Sequence, residues 1–319
     1  MSVAVIINPV AGGRASLPAE GRMKLAERAL GRHHLAGRVD LTRAAGHGSE
    51  LARQAVADRC DVVVAWGGDG TINEVASQLL RTNTTLGIVR AGSGNGLARE
   101  MGIPVHPEPA LDIALAGRDR AIDVGEIEGH PFLNVAGIGF DAEMAAEFNR
   151  LGGERRGPIR YARVVARALF GYRAAHYTIV VDDRRLETDA LVVAIANLTQ
   201  YGSNAFIAPG ARPDDGLLDV VVVRERGVLG RIRLVPKVFN QTIHRAAGVT
   251  RAPAARVVVR ANQPILFHVD GEPHEGGSTV EARIQPAAIR VRVRSGFRQA
   301  ASRKPPVAGP AIYSPYDEP

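Results

Sequence analysis

The sequence predicts a mixed α/β protein of two domains: an N-terminal layered domain on a parallel sheet, and a C-terminal domain dominated by antiparallel strands. Three observations carry this. The chain has 319 residues, more than one small core organises. Through about residue 125, apolar strand-sized runs alternate with helical periodicity, whereas from Ile122 onward strands follow one another closely. Glycine-containing loops also directly follow three apolar strands of the first half.

Taken in order, Val3–Asn8 reads as a buried strand stopped by Pro9 and followed by the loop Ala11-Gly12-Gly13. Met23–Leu30 has helical spacing, Arg38–Thr42 is a short strand, and Gly48–Ala57 is a helix. Asp61–Trp66 (DVVVAW) is a second apolar strand that runs into Gly67-Gly68-Asp69-Gly70-Thr71 and then the helical run Ile72–Leu80. Leu86–Val89 is a third, leading into Ala91–Gly96 and another helix start. Pro104, Pro107 and Pro109 break the chain before a helix over Ala110–Ala116.

In the second half, strands are expected at Ile122–Ile127, Phe132–Ile138, Tyr177–Asp182, Ala190–Asn197, Leu218–Val223, Arg256–Arg260, Ile265–Val269, Thr279–Ile284 and Ile289–Val293. Their density predicts an antiparallel sandwich or barrel-like domain. Helical stretches interrupt it near Ala142–Arg150, Ile159–Phe170 and Leu229–Gln241. The expected domain limits are 1–125 and 126–298, with the last strand returning toward the N-terminal domain, and a disordered tail over 299–319 rich in Pro, Ala and Ser.

Composition excludes several classes. Hydrophobic content of 45% against 23% charged residues describes neither a disordered nor a membrane-embedded chain. No apolar run approaches the ~20 residues of a membrane-spanning helix. The N-terminus lacks a cationic lead-in, and Val3–Ile7 ends at Asn8-Pro9, which argues against a signal peptide. Cys60 is the one cysteine, so an internal disulfide framework and a cysteine-based metal site are excluded. The expectation is a cytoplasmic protein. The formal charge of +7 comes almost wholly from arginine, since only Lys24, Lys237 and Lys304 are lysines. These arginines are scattered from Arg14 to Arg303, and aromatics make up only 5%, unlike the clustered cations and stacking rings of a nucleic-acid binder.

The strongest chemical signal is the strand Asp61–Trp66 entering Gly67–Glu74. Glycines after a buried parallel strand let backbone N–H groups approach an anion, and the following helix adds its positive end. Asp69 would repel phosphate alone, but it fits a Mg²⁺ between carboxylate and phosphate; the plainer alternative is a helix N-cap. Ala91-Gly92-Ser93-Gly94-Asn95-Gly96 is a second loop of this kind, and Asn8–Gly13 a third at the same sheet edge, where open α/β sheets bind ligands. Neither the Walker lysine pattern nor the dinucleotide fingerprint follows the first strand.

Asn8-Pro9 with its glycines, GGDGTINEVA at Gly67–Ala76, AGSGNGLARE at Ala91–Glu100, DVG at Asp123–Gly125 and DGE at Asp270–Glu272 together resemble the diacylglycerol kinase catalytic-domain family. That family includes bacterial lipid kinases and the sphingosine and ceramide kinases. The resemblance extends to about Val293. It implies an α/β nucleotide domain of Rossmann type, like those of NAD kinase and phosphofructokinase, and a β-sandwich domain, with the active site in the cleft between them. The implied activity is transfer of phosphate from MgATP to a hydroxyl of a membrane lipid, diacylglycerol or a long-chain base such as sphingosine.

By motif, the resemblance implies ATP contacts at Asn8, Pro9, Val10, Ala11, Gly12, Thr42, Gly67, Gly68, Asp69, Gly70, Thr71, Ile72, Asn73 and Ser93. Asp69 would also hold the catalytic Mg²⁺. In ARPDDGLLD (Ala211–Asp219), the Asp215 carboxylate and the carbonyls of Arg212 and Leu217 would hold a structural Mg²⁺. Glu272 matches the proton acceptor. From the residues alone, Asp270 and Glu272 both remain candidates for that base, and a plain β-turn is the alternative reading of Asp270-Gly271. Asp141, in Gly137–Asp141, resembles an acidic contact to the lipid; as a favoured cap residue it could equally start the helix that follows.

One departure is Gly96, which stands where many bacterial diacylglycerol kinases carry an aspartate; Asp69 and Asp123 would then carry more of the metal's charge. The alternatives are an NAD kinase, which shares Gly-Gly-Asp-Gly, and a nucleotide-binding regulator without catalysis. His33, His34, His47, His106 and His130 lack metal-ligand spacing and read as surface or loop residues, whereas His268 and His274 flank Asp270–Glu272 and could orient a carboxylate. Trp66 reads as core. Ile159–Phe170 is basic and amphipathic, a candidate for resting on the anionic inner face of a membrane. The sequence leaves the oligomeric state open, a homodimer among the options.

Overall fold

The structure is a computed structural model, and it describes residues 1–12, 17–92, 94–150 and 170–297. Ser93, the segment 159–169 and the expected tail 299–319 lie outside the described residues. The chain divides into two compact units, Met1–Val124 with the segment from Pro286, and Gly125–Gln285. Among the described residues no helix is long and apolar enough to cross a membrane.

The N-terminal unit is built on four parallel strands, β1 (Ser2–Ile7), β2 (Ala36–Leu41), β3 (Val62–Gly67) and β4 (Thr85–Arg90), in the order β2-β1-β3-β4. Val3 to Ile7 pair in register with Val62 to Trp66, and Val62 to Gly67 with Thr85 to Arg90. β1 and β3 are rich in Val and Ile, and β1, β3 and β4 are buried at almost every position, as strands covered on both faces must be. Helices α1 (Ala19–Arg32), α2 (His47–Ala57), α3 (Asp69–Leu79), α4 (Gly96–Glu100) and α5 (Pro107–Ala116) supply the cover, α2 packing on α3 and α1 on α5. α5 starts three residues earlier than the sequence suggested. Pro107 and Pro109 sit in its first turn, where a missing N–H costs nothing.

The C-terminal unit is antiparallel. Its strands run in the order β16 (Glu272–Glu275), β15 (Leu266–Val269), β7 (Val135–Gly139), β9 (Arg184–Ala196), β8 (Ala175–Val181), β14 (Arg256–Arg260) and β17 (Thr279–Val293), and β9 also pairs with β12 (Leu218–Arg224), which pairs with β13 (Val249–Ala254). β9 (Arg184–Ala196) is the spine: Arg184–Ala190 pairs with β8 (Ala175–Val181), and Val192–Ala196 with β7 (Val135–Gly139). One core gathers Phe132, Ile138, Ile179, Val193, Val220, Val257 and Phe267. A second, with Leu191, Val221 and Ile243, is joined by Phe140 of α6 (Phe140–Arg150) and Leu234 and Val238 of α7 (Gly227–Phe239). Alternation along β9 sends Val193 to the first core and Val192 and Ala194 to the second.

Three expectations about elements are corrected. Phe132–Ile138 is two strands, β6 (His130–Phe132) and β7, because the N–H groups of Leu133, Asn134 and Val135 turn to the Asp270 carboxylate. Thr279–Ile284 and Ile289–Val293 are one strand, β17 (Thr279–Val293), which passes from one unit to the other. Its irregularity at Ala287, with φ of 48°, is bridged by the Asp123 carboxylate, which accepts the Ala287 N–H at 2.7 Å. Finally, α6 begins at Phe140, so Asp141 lies inside the first turn and not ahead of it.

Candidate functional site

In the N-terminal unit, the loops after β1, β3 and β4 end at one sheet edge and are tied together. Asn8 donates its backbone N–H to the Trp66 carbonyl at 2.9 Å and its side-chain Nδ2 to Thr71 Oγ1 at 2.9 Å, while its Oδ1 accepts the Val10 N–H. Thr42 joins the same edge, its N–H donating to the Ile7 carbonyl. Gly68 and Gly92 meet so closely that a Cβ on Gly92 would stand 2.9 Å from the Gly68 Cα. Glycine is therefore required for the loops to touch.

Asp69 is the first residue of α3, whose N-cap is Gly68. Its carboxylate reaches across to the second glycine loop, accepting the Asn95 N–H at 2.6 Å and the Gly96 N–H at 2.8 Å. Asp69 thus ties the two glycine loops together. Among the described residues no group of three or more His, Cys, Asp or Glu converges as a ready metal cage. A single carboxylate beside a phosphate site is nevertheless how Mg²⁺ is commonly bound, with substrate oxygens and water completing its shell, so the donor set fits that ion.

Two further residues build this edge, Arg22, which no motif marks, and Glu74, which lies in the Gly67–Ala76 motif without an expected role. Arg22 is buried at 1% exposure, and its guanidinium donates to the carbonyls of Leu17, Asn8 and Ala11 at 2.8, 2.7 and 2.6 Å. Glu74 accepts the N–H groups of Gly46 and Gly48 at 2.9 and 3.0 Å, satisfying the start of α2 from α3. A cavity of about 350 Å³ opens beside the loops, lined by Trp66, Arg22, Arg90, Gly92, Asn95 and Arg99 among others. Burial, with the Arg99 charge beside it, holds the Arg90 guanidinium below its ordinary range, while Arg99 donates to the Gly94 carbonyl at 2.8 Å. Two cations crowded together next to glycine loops favour an anion.

In the C-terminal unit, Asp270 and Gly271 are the two central residues of the hairpin between β15 (Leu266–Val269) and β16 (Glu272–Glu275), with φ of 50° and 90°. Asp-Gly is the pair such a turn favours. The Asp270 carboxylate accepts three N–H groups, from Leu133, Asn134 and Val135, at 2.7, 2.8 and 3.0 Å. Glu272, the first residue of β16, is exposed.

Beside this hairpin lies a buried polar cluster. Asp141 Oδ2 accepts the Tyr201 hydroxyl at 2.8 Å and lies 3.4 Å from His268 Nε2. His268 is 3% exposed, and its Nδ1 accepts the Gly271 N–H at 3.2 Å, which leaves the neutral ring's proton on Nε2, facing Asp141. Burial, reinforced by the Asp141 charge, pushes the Tyr201 hydroxyl well above its ordinary value. Gly137 leaves room for the cluster, because a Cβ there would collide with both Asp141 and His268. These groups line a cavity of about 430 Å³ that also touches Asn134, Asp270, Gly271 and Arg231 and is walled for the rest by apolar side chains, including Phe140, Met144, Val192, Val238 and Phe239.

The remaining expected residues sit as follows. Arg212, Asp215 and Leu217 share one turn, in which Asp215 Oδ1 accepts the Leu217 N–H at 3.2 Å and Arg212 pairs with Asp214. His130 is exposed at the start of β6, as expected of a surface residue, and its ring centroid lies 4.0 Å from that of His274. Asp123 is spent on Ala287. Trp66 is 2% exposed. Arg22 and Tyr201 gave no local sequence signal, because each acts on a partner outside its own segment, whereas Glu74 lies within the Gly67–Ala76 motif but its partners Gly46 and Gly48 do not.

Comparison with known proteins agrees with this layout. The family "Diacylglycerol kinase catalytic domain" matches residues 2–127, and "YegS C-terminal NAD kinase beta sandwich-like domain" matches residues 134–293. A probable lipid kinase YegS-like of Chromohalobacter salexigens is 30% identical over 274 residues, covering 83% of this chain and 85% of its own. A diacylglycerol kinase of Mycobacterium tuberculosis is 32% identical over 249 residues, covering 75% and 78%. Among solved structures, a diacylglycerol kinase from Bacillus anthracis superposes with a TM-score of 0.73 at 19% identity, over 93% of this chain and 98% of that one, a likeness of fold.

Proposed function

The chain belongs to the diacylglycerol kinase catalytic-domain family and is a lipid kinase by that membership; we propose that it transfers the γ-phosphate of MgATP to a free hydroxyl of a membrane lipid, diacylglycerol or a long-chain base. The observation that carries the acceptor assignment is the cavity of the C-terminal unit, walled mostly by apolar side chains, with Asp141, Tyr201 and His268 gathered beside the Asp270-Gly271 turn and Arg231 as a further polar lining group. An apolar chamber with a few convergent polar groups suits an acyl chain bearing one reactive hydroxyl.

In this reading the glycine loops after β1, β3 and β4 hold the nucleotide phosphates by their N–H groups, and Arg90 and Arg99 draw the anion in. Mg²⁺ held by Asp69 supplies neutralisation of charge on the phosphates. Asp141, oriented by Tyr201 and His268, accepts a hydrogen bond from the lipid headgroup. Glu272 takes the proton of the attacking hydroxyl, whose oxygen bonds to the γ-phosphorus as the bridging bond to ADP breaks. Asp270 is the weaker candidate for the base, since its oxygens serve three backbone N–H groups. Asp215 with the Arg212 and Leu217 carbonyls would brace the unit by a second Mg²⁺.

The test is transfer of labelled phosphate from ATP to mixed micelles of dioleoylglycerol, sphingosine or ceramide, with Mg²⁺ and with chelator. Wild type should label at least one lipid only with Mg²⁺, and Glu272→Gln should lose at least about 100-fold in rate. Equal labelling by wild type and Glu272→Gln would remove the base assignment. NADP formed from NAD, or ATP bound with no transfer to any lipid, would establish one of the two alternatives instead.

A further inference from the structure

Helix α7 presents three different faces. At 3.6 residues per turn, Arg231, Leu234 and Val238 share the inward one, where Arg231 is paired with Glu225 at 2.8 Å and donates to the Tyr172 carbonyl. Leu229, Ile232, Val235 and Phe239 fall on a second face and stay 69%, 45%, 42% and 57% exposed. They are four of the nine large hydrophobic side chains exposed among the described residues, gathered on one helix of 13 residues. Exposed apolar residues scattered singly need no explanation; a stripe of four does.

The third face is cationic. Arg226, Arg233 and Lys237, with Arg224 and Arg245 from neighbouring segments, line a cavity of about 260 Å³. The helix itself carries no acidic residue, and among the described residues no carboxylate lies within ion-pair distance of these five cations. An apolar stripe edged by unpaired cations suits a helix lying in the headgroup region of an anionic bilayer. It suits a second copy of the chain poorly, because a two-fold pairing over this face would bring like charges together.

We propose that α7 docks this protein on an anionic phospholipid bilayer, with Leu229, Ile232, Val235 and Phe239 entering the acyl boundary and the arginine-lined cavity receiving a lipid phosphate. The purpose of the docking rests on the lipid-kinase reading. Val235 and Phe239, at the edge of the stripe, together with Leu234 and Val238 wall the apolar cavity of the same unit, so the element that meets the bilayer also borders the acceptor chamber. The basic segment 159–170 named from sequence lies, up to residue 169, outside the described residues and is not needed for this.

The experiment is co-sedimentation of the full chain with vesicles of phosphatidylcholine alone or mixed with phosphatidylglycerol. Wild type should prefer the anionic vesicles. Leu229→Glu with Ile232→Glu, neither of which lines the acceptor chamber, should weaken binding at least about tenfold. Arg233→Gln with Lys237→Gln should cost about fivefold per charge on anionic vesicles and little on neutral ones. Unchanged thermal unfolding of these surface variants shows that they fold. The kinase reading is probed separately with a short-chain, water-soluble diacylglycerol, on which the Leu229/Ile232 variant should match wild type. Vesicle binding that survives both variants overturns the docking proposal, as does a dimer in solution that Ile232→Glu dissociates. A wild type that binds vesicles through α7 but phosphorylates no lipid would overturn only the kinase reading.

Discussion

Asp270 and Glu272 flank the same glycine and carry different loads. Asp270 satisfies three backbone donors where β6 gives way to β7, while Glu272 faces solvent at the start of β16. Asp270→Asn would put an NH2 where a carboxylate oxygen now accepts an N–H, and should cost about 2–4 kcal/mol of stability, read by denaturant unfolding. Glu272→Gln should stay within about 0.5 kcal/mol of wild type while phosphoryl transfer falls. The reverse pattern would exchange their roles. The sequence could not separate the two, since what distinguishes them is a set of N–H groups 135 to 137 residues upstream. The glycine loops were legible because their signal is local: an apolar strand, then glycines, then a helix. Tyr201, 60 residues from Asp141, and Arg22, 14 residues from Asn8, had no local pattern to betray them.

Elements were read well where pattern and boundary coincide, as at β1 and β3, and less well where a side chain from elsewhere overrides local geometry; α3 begins at Asp69, three residues before the expected Ile72. Pro286 and the left-handed Ala287 look like a strand end, yet β17 continues because Asp123 takes the Ala287 N–H. The β15–β16 hairpin, which carries Glu272, holds a further consequence. Its His274 stacks on Phe267 with His130 tilted beside it, and burial first, then the nearby His130 and His268, lower its affinity for protons against the opposing pull of Glu272. A histidine whose folded value lies below its ordinary 6.5 binds protons more readily when unfolded. Its neutral form is therefore accommodated fully above pH 6.5, and stability drains away as pH falls from there through the folded value. Unfolding of the C-terminal unit followed at pH 7.5 and 5.5 should show this acid loss, with His274→Gln flattening it. An equal loss in the variant would trace it to other groups.

For the whole molecule, the division into a parallel α/β unit and an antiparallel unit was legible from the change in strand spacing near residue 125. The sheet order was not, because pairing β9 with β7, β8 and β12 depends on contacts that no single segment encodes. The two units also differ in what can report on them. Trp66 is the one tryptophan, 2% exposed at the end of β3, so tryptophan emission follows unfolding of the N-terminal unit alone. If the nucleotide binds where the glycine loops meet, MgATP at 100 times its dissociation constant should stabilise that unit by about 2.7 kcal/mol. The Asp69 carboxylate holds Asn95 and Gly96 and is the proposed metal donor, so Asp69→Asn should abolish the MgATP shift and lower the baseline, since an amide keeps only one acceptor oxygen for two N–H groups. ATP with chelator should shift the wild type less than MgATP does. A full MgATP shift retained in Asp69→Asn would mean that the phosphates rest on Arg90 and Arg99 without the carboxylate, and the metal would have to be sought elsewhere on the chain.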